Sequence, residues 1–266
     1  MRPQSLVTTM GAAILVLAIG QPVWADLSTG LVAHYAFNGN ADDVSGNGHD
    51  GTVWGATLTI DRFGNPNSAY SFDGLNDYVR IPDDPQLDGM NSLTLALWVK
   101  IDGSDHEAEV LNKYLHYSGS HLDDSYNIGI DPGSLAVFQY ATGDDYVIKI
   151  SSAAIPMSSW HHIAGVYTGT EGSIYIDGSR VALSRNDSDP GGPLNSIIDD
   201  LLIGCANTGG GLAKFFEGSV DDIRIYNRAL TDSEVYDLSV VPAPGAALLG
   251  VLGLGYAGLR LRRGCH

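Results

Sequence analysis

Apolar residues in this chain recur at every second position, in short runs. Leu93, Leu95, Leu97 and Val99 alternate with Thr94, Ala96 and Trp98, the period of a strand with one face against a core. Comparable runs bounded by Gly, Asp, Asn and Pro predict strands near Leu31–Phe37, Ala69–Phe72, Tyr78–Ile81, Leu93–Ile101, Val110–Tyr114, Asn127–Ile130 and Leu135–Tyr140. Five more follow near Tyr146–Ile150, Trp160–Tyr167, Ser173–Ile176, Leu201–Ile203 and Gly218–Tyr226. Asp177-Gly178 between Ile176 and Ser179 marks a hairpin turn. One helix is expected: Thr231 and Glu234 have capping-box spacing, and Val235 and Leu238 form a short apolar stripe. Many short strands separated by turns predict an all-β fold of two packed antiparallel sheets, with one short helix near the end of the domain. The tryptophans Trp54, Trp98 and Trp160 lie in or beside these runs and are expected in the core.

Two terminal runs break the pattern. Arg2 precedes an apolar run from Met10 to Ile19, closed by Gly20 and Pro22, and Val23-Trp24-Ala25 offers small residues to a peptidase. That is the layout of a secretory signal cut after Ala25. At the other end Val241-Pro242-Ala243-Pro244 leads into an apolar segment from Gly245 to Leu259, followed by Arg260, Arg262 and Arg263. This segment is short for a hydrocarbon core about 30 Å thick. The arginines place its end in the cytoplasm and the body of the protein outside. The expected organisation is a signal peptide at 1–25, one β domain at 26–240 and a C-terminal membrane segment at 241–266.

Charge separates the body from its ends. The chain has 14 Lys+Arg and 31 Asp+Glu; four of the arginines lie in the terminal segments, leaving 10 basic against 31 acidic residues, a net of −21, in 26–240. Nucleic acid is excluded as a partner, since phosphate binding needs the opposite sign. Divalent cations suit such a surface. Asp far outnumbers Glu, so the acidity sits in turns rather than helices. Of two cysteines, Cys205 lies in an apolar strand-like run and Cys265 in the tail, so no disulfide within the domain is expected.

The tail resembles the PEP-CTERM sorting signals of bacteria, with Ala243 where the motif has glutamate. The resemblance implies an exosortase-type processing enzyme as a partner, with transient membrane anchoring through this segment. It places the domain at the cell surface or in the extracellular matrix of a bacterium. A plain tail anchor that is never cleaved is the alternative. The body carries a second resemblance. Leu31-Val32-Ala33-His34-Tyr35-Ala36-Phe37-Asn38-Gly39-Asn40, Ser71-Phe72-Asp73-Gly74, Leu95-Ala96-Leu97-Trp98-Val99, Trp160-His161-His162-Ile163-Ala164 and Phe216 to Leu230 occur in the order of a laminin-G-like domain. From Leu31 to Leu238 the chain resembles the laminin-G-like, concanavalin A-like jelly roll. This implies a lectin-type sandwich and, by itself, no ligand.

Family members often carry a structural calcium between the first loop and the last strand. The resemblance nominates Asp43 and Asp222 as side-chain ligands, with Asn38, Asn47 or His49 nearby. Turn chemistry alone explains the same residues as well. Strict alternation would send Asp221 and Asp222 to opposite faces.

Glycanases of this fold use a strand with Glu-x-Asp-x-x-Glu; here Glu107 and Glu109 are two apart without the remaining carboxylates. Neither a Gly-x-Ser-x-Gly elbow nor a phosphate loop is present. The segment Tyr114, His116, Tyr117, His121 and Tyr126 suits glycan binding, since aromatic rings stack on sugar faces; the alternative is that these rings pack back onto the sandwich. The resulting expectation is a non-enzymatic module binding extracellular polysaccharide or a surface protein in adhesion or matrix. A hydrolase of the same fold and a structural matrix component are the alternatives.

Overall fold

The computed structural model describes residues 26–103, 105–114 and 121–240. The expected signal at 1–25 and the sorting segment at 241–266, including Val241, Pro242, Pro244, Arg260, Arg262 and Arg263, lie outside the described residues, as do His116 and Tyr117. The strands in chain order are β1 (Leu31–Tyr35), β2 (Thr52–Trp54), β3 (Thr57–Thr59), β4 (Ala69–Asp73), β5 (Tyr78–Ile81), β6 (Leu93–Ile101), β7 (Ala108–Tyr114), β8 (Asp124–Asp131) and β9 (Leu135–Thr142). They continue as β10 (Asp145–Ala154), β11 (Trp160–Tyr167), β12 (Gly172–Ile176), β13 (Ser179–Arg180), β14 (Leu183–Asn186), β15 (Leu201–Ile203), β16 (Ala206–Asn207), β17 (Leu212–Ala213) and β18 (Glu217–Tyr226). Helix α1 (Asp232–Val240) closes the domain.

Two antiparallel sheets form. The first runs β13-β12-β11-β6-β18-β4-β3, with β1 also pairing β18; the second runs β14-β10-β9-β8-β7-β15-β5-β2. The small β16–β17 ladder stands apart. Leu95, Leu97 and Val99 of β6 meet Ile128 of β8 and Phe138 and Tyr140 of β9 in one buried cluster, as alternation requires when each sheet turns one face inward. The sheets approach closely at Gly165, where a Cβ would lie 2.5 Å from the Phe138 ring. A second cluster, with Ala96, Val166 and Tyr226, lies under Val235 and Leu238, so α1 covers the outer face of the first sheet. Its capping box is formed: Thr231 N–H donates to Glu234 at 2.8 Å, and Glu234 also takes Arg228 at 2.7 and 3.0 Å.

Three departures from the sequence pattern have identifiable causes. The edge strands β2 and β3 are three residues each, too short to show a period. Asp221 and Asp222 do not take opposite faces. Asp222 has φ 50° and the β18–β6 register shifts between Asp221 and Arg224, a bulge that turns both carboxylates toward Arg62. Finally, Trp54 is 52% exposed, because β2 is the edge of its sheet and the side chain faces away from the core.

Candidate functional site

The outer face of the second sheet carries a row of polar residues interrupted only by Leu202. Reading across paired strands, Thr52 faces Arg80, Arg80 faces Leu202, Leu202 faces Asn112, Asn112 faces Asn127, and Asn127 faces Gln139. Cross-strand partners share a face, so six strands contribute to one surface. Its two halves differ in character.

The half over β7 to β10 is closed. Glu109 is buried and accepts from Tyr114 Oη at 3.1 Å and Asn127 Nδ2 at 2.9 Å. Asn127 also donates to Gln139 at 2.6 Å, and Tyr146 Oη donates to the same oxygen at 2.7 Å. Lys214 Nζ bridges Glu107 at 2.8 Å and Glu109 at 3.4 Å. Burial pushes the Glu109 carboxyl up to about 7, with Lys214 opposing. Asn112 is fully buried and neither polar atom of its amide has a partner among the described residues.

The half over β2, β5 and β15 is open. A cavity of about 290 Å³ is lined by Tyr78, Arg80, Asp199, Asp200, Leu202, Asn207, Gly211 and Leu212. Trp54 stands beside the cavity, next to the lining residue Tyr78: the two pair in the β2–β5 ladder, and their rings lie 6.0 Å apart and 8° from parallel. Arg80 reaches Asp200 through both Nε and Nη2, and Asp200 Oδ1 also accepts the Asp83 N–H at 3.0 Å. Burial raises the Asp199 carboxyl; the Asp200 N–H, the Asn207 amide and Lys113 oppose this, and the Asp200 carboxylate adds to it. An aromatic wall beside clustered hydrogen-bonding groups can hold a ring with one apolar face and a polar edge. None of these residues was nominated from the sequence. The available signals were Tyr78 and Arg80 at i and i+2, and Asp199-Asp200 directly before the Leu201 strand.

The aromatic residues that were nominated sit elsewhere. Tyr126 points into the core and donates to the Leu87 carbonyl at 2.7 Å. Tyr114 is buried against Glu109. Neither offers a ring face to solvent: Tyr126 belongs to the core between the sheets, and Tyr114 is buried beside Glu109. His121 stacks on Tyr146 at 4.8 Å and meets Asp124 at 2.8 Å. Of the two readings of this segment, these three residues follow the one in which the rings pack onto the sandwich.

The nominated calcium ligands are engaged by protein donors. Asp43 accepts the N–H of His34, Ser45 and His49 and the Ser45 hydroxyl, at 2.9, 2.9, 3.1 and 2.8 Å. Burial works against ionisation there, but these donors hold the carboxyl below its usual value. Asp222 accepts from His34 Nε2 at 2.7 Å, Arg62 at 3.2 Å and Arg224 at 3.1 and 3.5 Å. Burial again opposes, and the His34 ring and two arginines overcome it and hold Asp222 well below the carboxylate range. A carboxylate offers about four lone-pair sites, and both sets are filled. Asn47 spends its amide on the Val32 carbonyl at 2.8 Å, His49 N–H serves Asp43, and Asn38 is exposed at the start of the loop. As arranged, these residues do not fit a calcium ion shared by Asp43 and Asp222. Among the described residues no group of three or more His, Cys, Asp or Glu is placed to hold a metal.

Two histidines on β11 divide as alternation demands. His162 is buried, and burial lowers it to about 4. His161 lies between Ser159 Oγ at 3.0 Å and Asp177 Oδ2 at 2.8 Å, while Asp177 Oδ1 accepts the His162 N–H at 3.0 Å. Asp177 thereby fastens the β12–β13 turn to the start of β11. Cys205 is buried with a free thiol that burial pushes up to about 12.

Two curved layers with a polar outer row and an aromatic-walled cavity define a lectin-type sandwich. Residues 72–236 match the Concanavalin A-like lectin/glucanases superfamily, and the chain belongs to that family. Among solved structures it is similar to domain 4 of AbnA, a GH43 extracellular arabinanase from Geobacillus stearothermophilus, in complex with arabinotriose. The identity is 24%, over 79% of this chain and 98% of that one, with TM-score 0.57. The binding domain of Paraclostridial Mosquitocidal Protein 1 is similar at 18% identity and TM-score 0.61, over 80% of this chain and 52% of that one. Trypanosoma rangeli sialidase is similar at 20% identity and TM-score 0.57, over 79% of this chain and 33% of the enzyme. The chain thus spans about half of the toxin domain and a third of the sialidase. No curated protein matches the sequence. Among the described residues no helix is long and apolar enough to cross a membrane.

Proposed function

We propose that this protein is an exported, surface-sorted binding module without a catalytic role, and that it takes an extracellular polysaccharide at the open half of the second sheet's outer face. The observation that carries this reading is the cavity lined by Tyr78 and Arg80, with the exposed Trp54 ring beside it, parallel to Tyr78. The family supports it, as do a similar domain captured with arabinotriose and a similar toxin binding domain. Export rests on the signal pattern at 1–25, and anchoring with exosortase-type processing on the pattern at 241–266. The full chain is expected to bind members of a glycan array, and Trp54→Ala to weaken that binding while remaining folded. Absence of binding across neutral, acidic and amino glycans would remove the assignment. Intact mass of the protein recovered from the producing cell tests processing: loss of residues 1–25 and of the tail is expected.

Hydrolysis is a second reading, favoured by one observation. Glu109 is pushed up to about 7 and shares Lys214 with Glu107, and a general acid needs a raised pKa. Glu109 is buried, however, and covered by Tyr114, Asn127 and Lys214. Release of reducing ends from a polysaccharide panel, lost in Glu109→Gln, would establish this reading over the first.

A further inference from the structure

The cavity is lined by one carboxylate that takes part in no ion pair among the described residues. Asp200 is tied to Arg80. Asp199, its neighbour on the cavity wall, has no cationic partner among the described residues. Lys113 Nζ bonds the Asp199 carbonyl at 2.7 Å and gives its ion pair to Asp83, also at 2.7 Å. Facing the Asp199 carboxylate is the Asn207 amide, whose Nδ2 lies at 3.4 and 3.3 Å from the two oxygens, a long bifurcated contact. A half-buried carboxylate in such a position is stabilised by a positive group and destabilised by a negative one. The rest of the domain acts in the same direction, with 10 basic against 31 acidic residues in 26–240. At this charge, uronic, sulfated and sialylated glycans are repelled on approach, and cationic ones are drawn in.

The second element is the aromatic pair at the cavity's edge, Tyr78 in its lining and Trp54 beside it. Trp54 is 52% exposed and Tyr78 stands parallel to it on the next strand. The ring faces suit the C–H face of a pyranose, and a cation set against an aromatic face gains further. A ligand that satisfies both elements carries a sugar ring and a positive charge on the same unit. We propose that this cavity selects glycans bearing free amino groups, such as a de-N-acetylated hexosamine polymer, with the sugar ring against Trp54 and Tyr78 and its ammonium group at Asp199. This deepens the polysaccharide-binding reading and rests on it.

The test compares the full chain against hexamers of glucosamine, N-acetylglucosamine and a uronic acid, and against hexalysine, by calorimetry at pH 6 and low salt. The glucosamine hexamer is expected to bind at least about tenfold more tightly than its acetylated counterpart, the uronic hexamer not to bind, and the preference to shrink as salt is raised, as a pairing of charges requires. Asp199→Asn is expected to equalise the two hexosamines, and Trp54→Ala to weaken both. Asp144→Asn, at an exposed turn, is expected to change neither and controls for bulk charge. Equal affinity of the two hexosamine hexamers in the native chain overturns the amine preference and leaves polysaccharide binding standing. So does equal loss in Asp199→Asn and Asp144→Asn, which would reduce the effect to net charge. Hexalysine binding as tightly as the glucosamine hexamer overturns the sugar component and points to a basic protein. Failure of every glycan, the hexosamines included, removes the site itself.

Discussion

His34 Nε2 lies 2.7 Å from Asp222 Oδ1 and joins the first strand to the last across most of the chain. The same histidine donates its backbone N–H to Asp43 at 2.9 Å, so the 43–50 loop, β1 and β18 are fastened at one residue. Arg62 and Arg224 complete the charge around Asp222. Removing one partner of a buried ionic network leaves the others uncompensated, at a cost of about 3–5 kcal/mol. Asp222→Ala is therefore expected to lower the melting temperature by several degrees or more, and Asp222→Asn by less. A melting curve unchanged by Asp222→Ala would show that the network is not formed.

The same saturation predicts indifference to calcium. Asp43 and Asp222 each accept four bonds from protein donors, so an ion could enter only by displacing them. A ligand that binds the native state alone raises its stability in proportion to the logarithm of concentration. Thermal melts of the full chain with millimolar calcium and with chelator are expected to coincide. A calcium-dependent rise of several degrees, abolished in Asp222→Ala, would instead restore the ligand set that the family resemblance implies.

Buried titrating groups set the pH profile. Burial raises Glu109 from 4.5 to about 7, and raises Asp221 from 3.8 to about 7 against the opposing Arg62. Between the unfolded and folded values the unfolded chain releases a proton that the native state keeps, so these two groups cost stability as pH rises from about 4 to 7. His162 works the other way: lowered by burial from 6.5 to about 4, it costs stability as pH falls through that window. Below about 4, Asp43 and Asp222, both held below the usual range, add a steep loss. With two groups against one above about pH 4.5, stability is expected to peak between about pH 4 and 5 and to be lower at pH 8, by an amount on the order of 4 kcal/mol. Glu109→Gln should flatten the alkaline side. Scans from pH 3 to 9 decide this, and a melting temperature that climbs steadily from pH 5 to 8 contradicts the burial of both carboxyls.

What was legible in the sequence follows from period and turn chemistry. The Leu93–Ile101 strand, the Asp177-Gly178 turn and the Thr231–Glu234 cap each depend on neighbours within a few residues, and the structure contains all three. The bulge at Asp222 was not legible, because a left-handed residue inside β18 depends on Arg62, 160 residues away. Nor was the open cavity. Its parts come from β5, from β15 and the two residues before it, and from the β16–β17 hairpin, and only strand order brings them to one place. Trp54 was expected in the core as an aromatic residue in an apolar run; the position of β2 at the sheet edge puts it at the surface. Tyr114 and Tyr126, nominated for sugar stacking as part of a segment rich in aromatics and histidine, are buried, since β7 and β8 are central strands.

The position of Trp54 separates binding from stability. Half of the residue is already in solvent, and its strand has one neighbour, β5. Truncation removes little packing, so Trp54→Ala is expected to shift the melting temperature by no more than about 2 °C, in keeping with surface substitutions. Its loss should nevertheless weaken a stacked sugar by about 0.5–1.5 kcal/mol, or several-fold in affinity. Tyr78 is half-buried and packs beside Trp54, so Tyr78→Ala is expected to lower both affinity and melting temperature. Tyr114→Phe, in the closed half of the same face, removes the hydroxyl that donates to Glu109 and should lower stability by about 1 kcal/mol while leaving glycan affinity unchanged. Parallel calorimetry and thermal melts on the three variants distinguish the two halves of the face. Glycan affinity that fell with Tyr114→Phe and held with Trp54→Ala would move the binding site from the open cavity to the closed polar row.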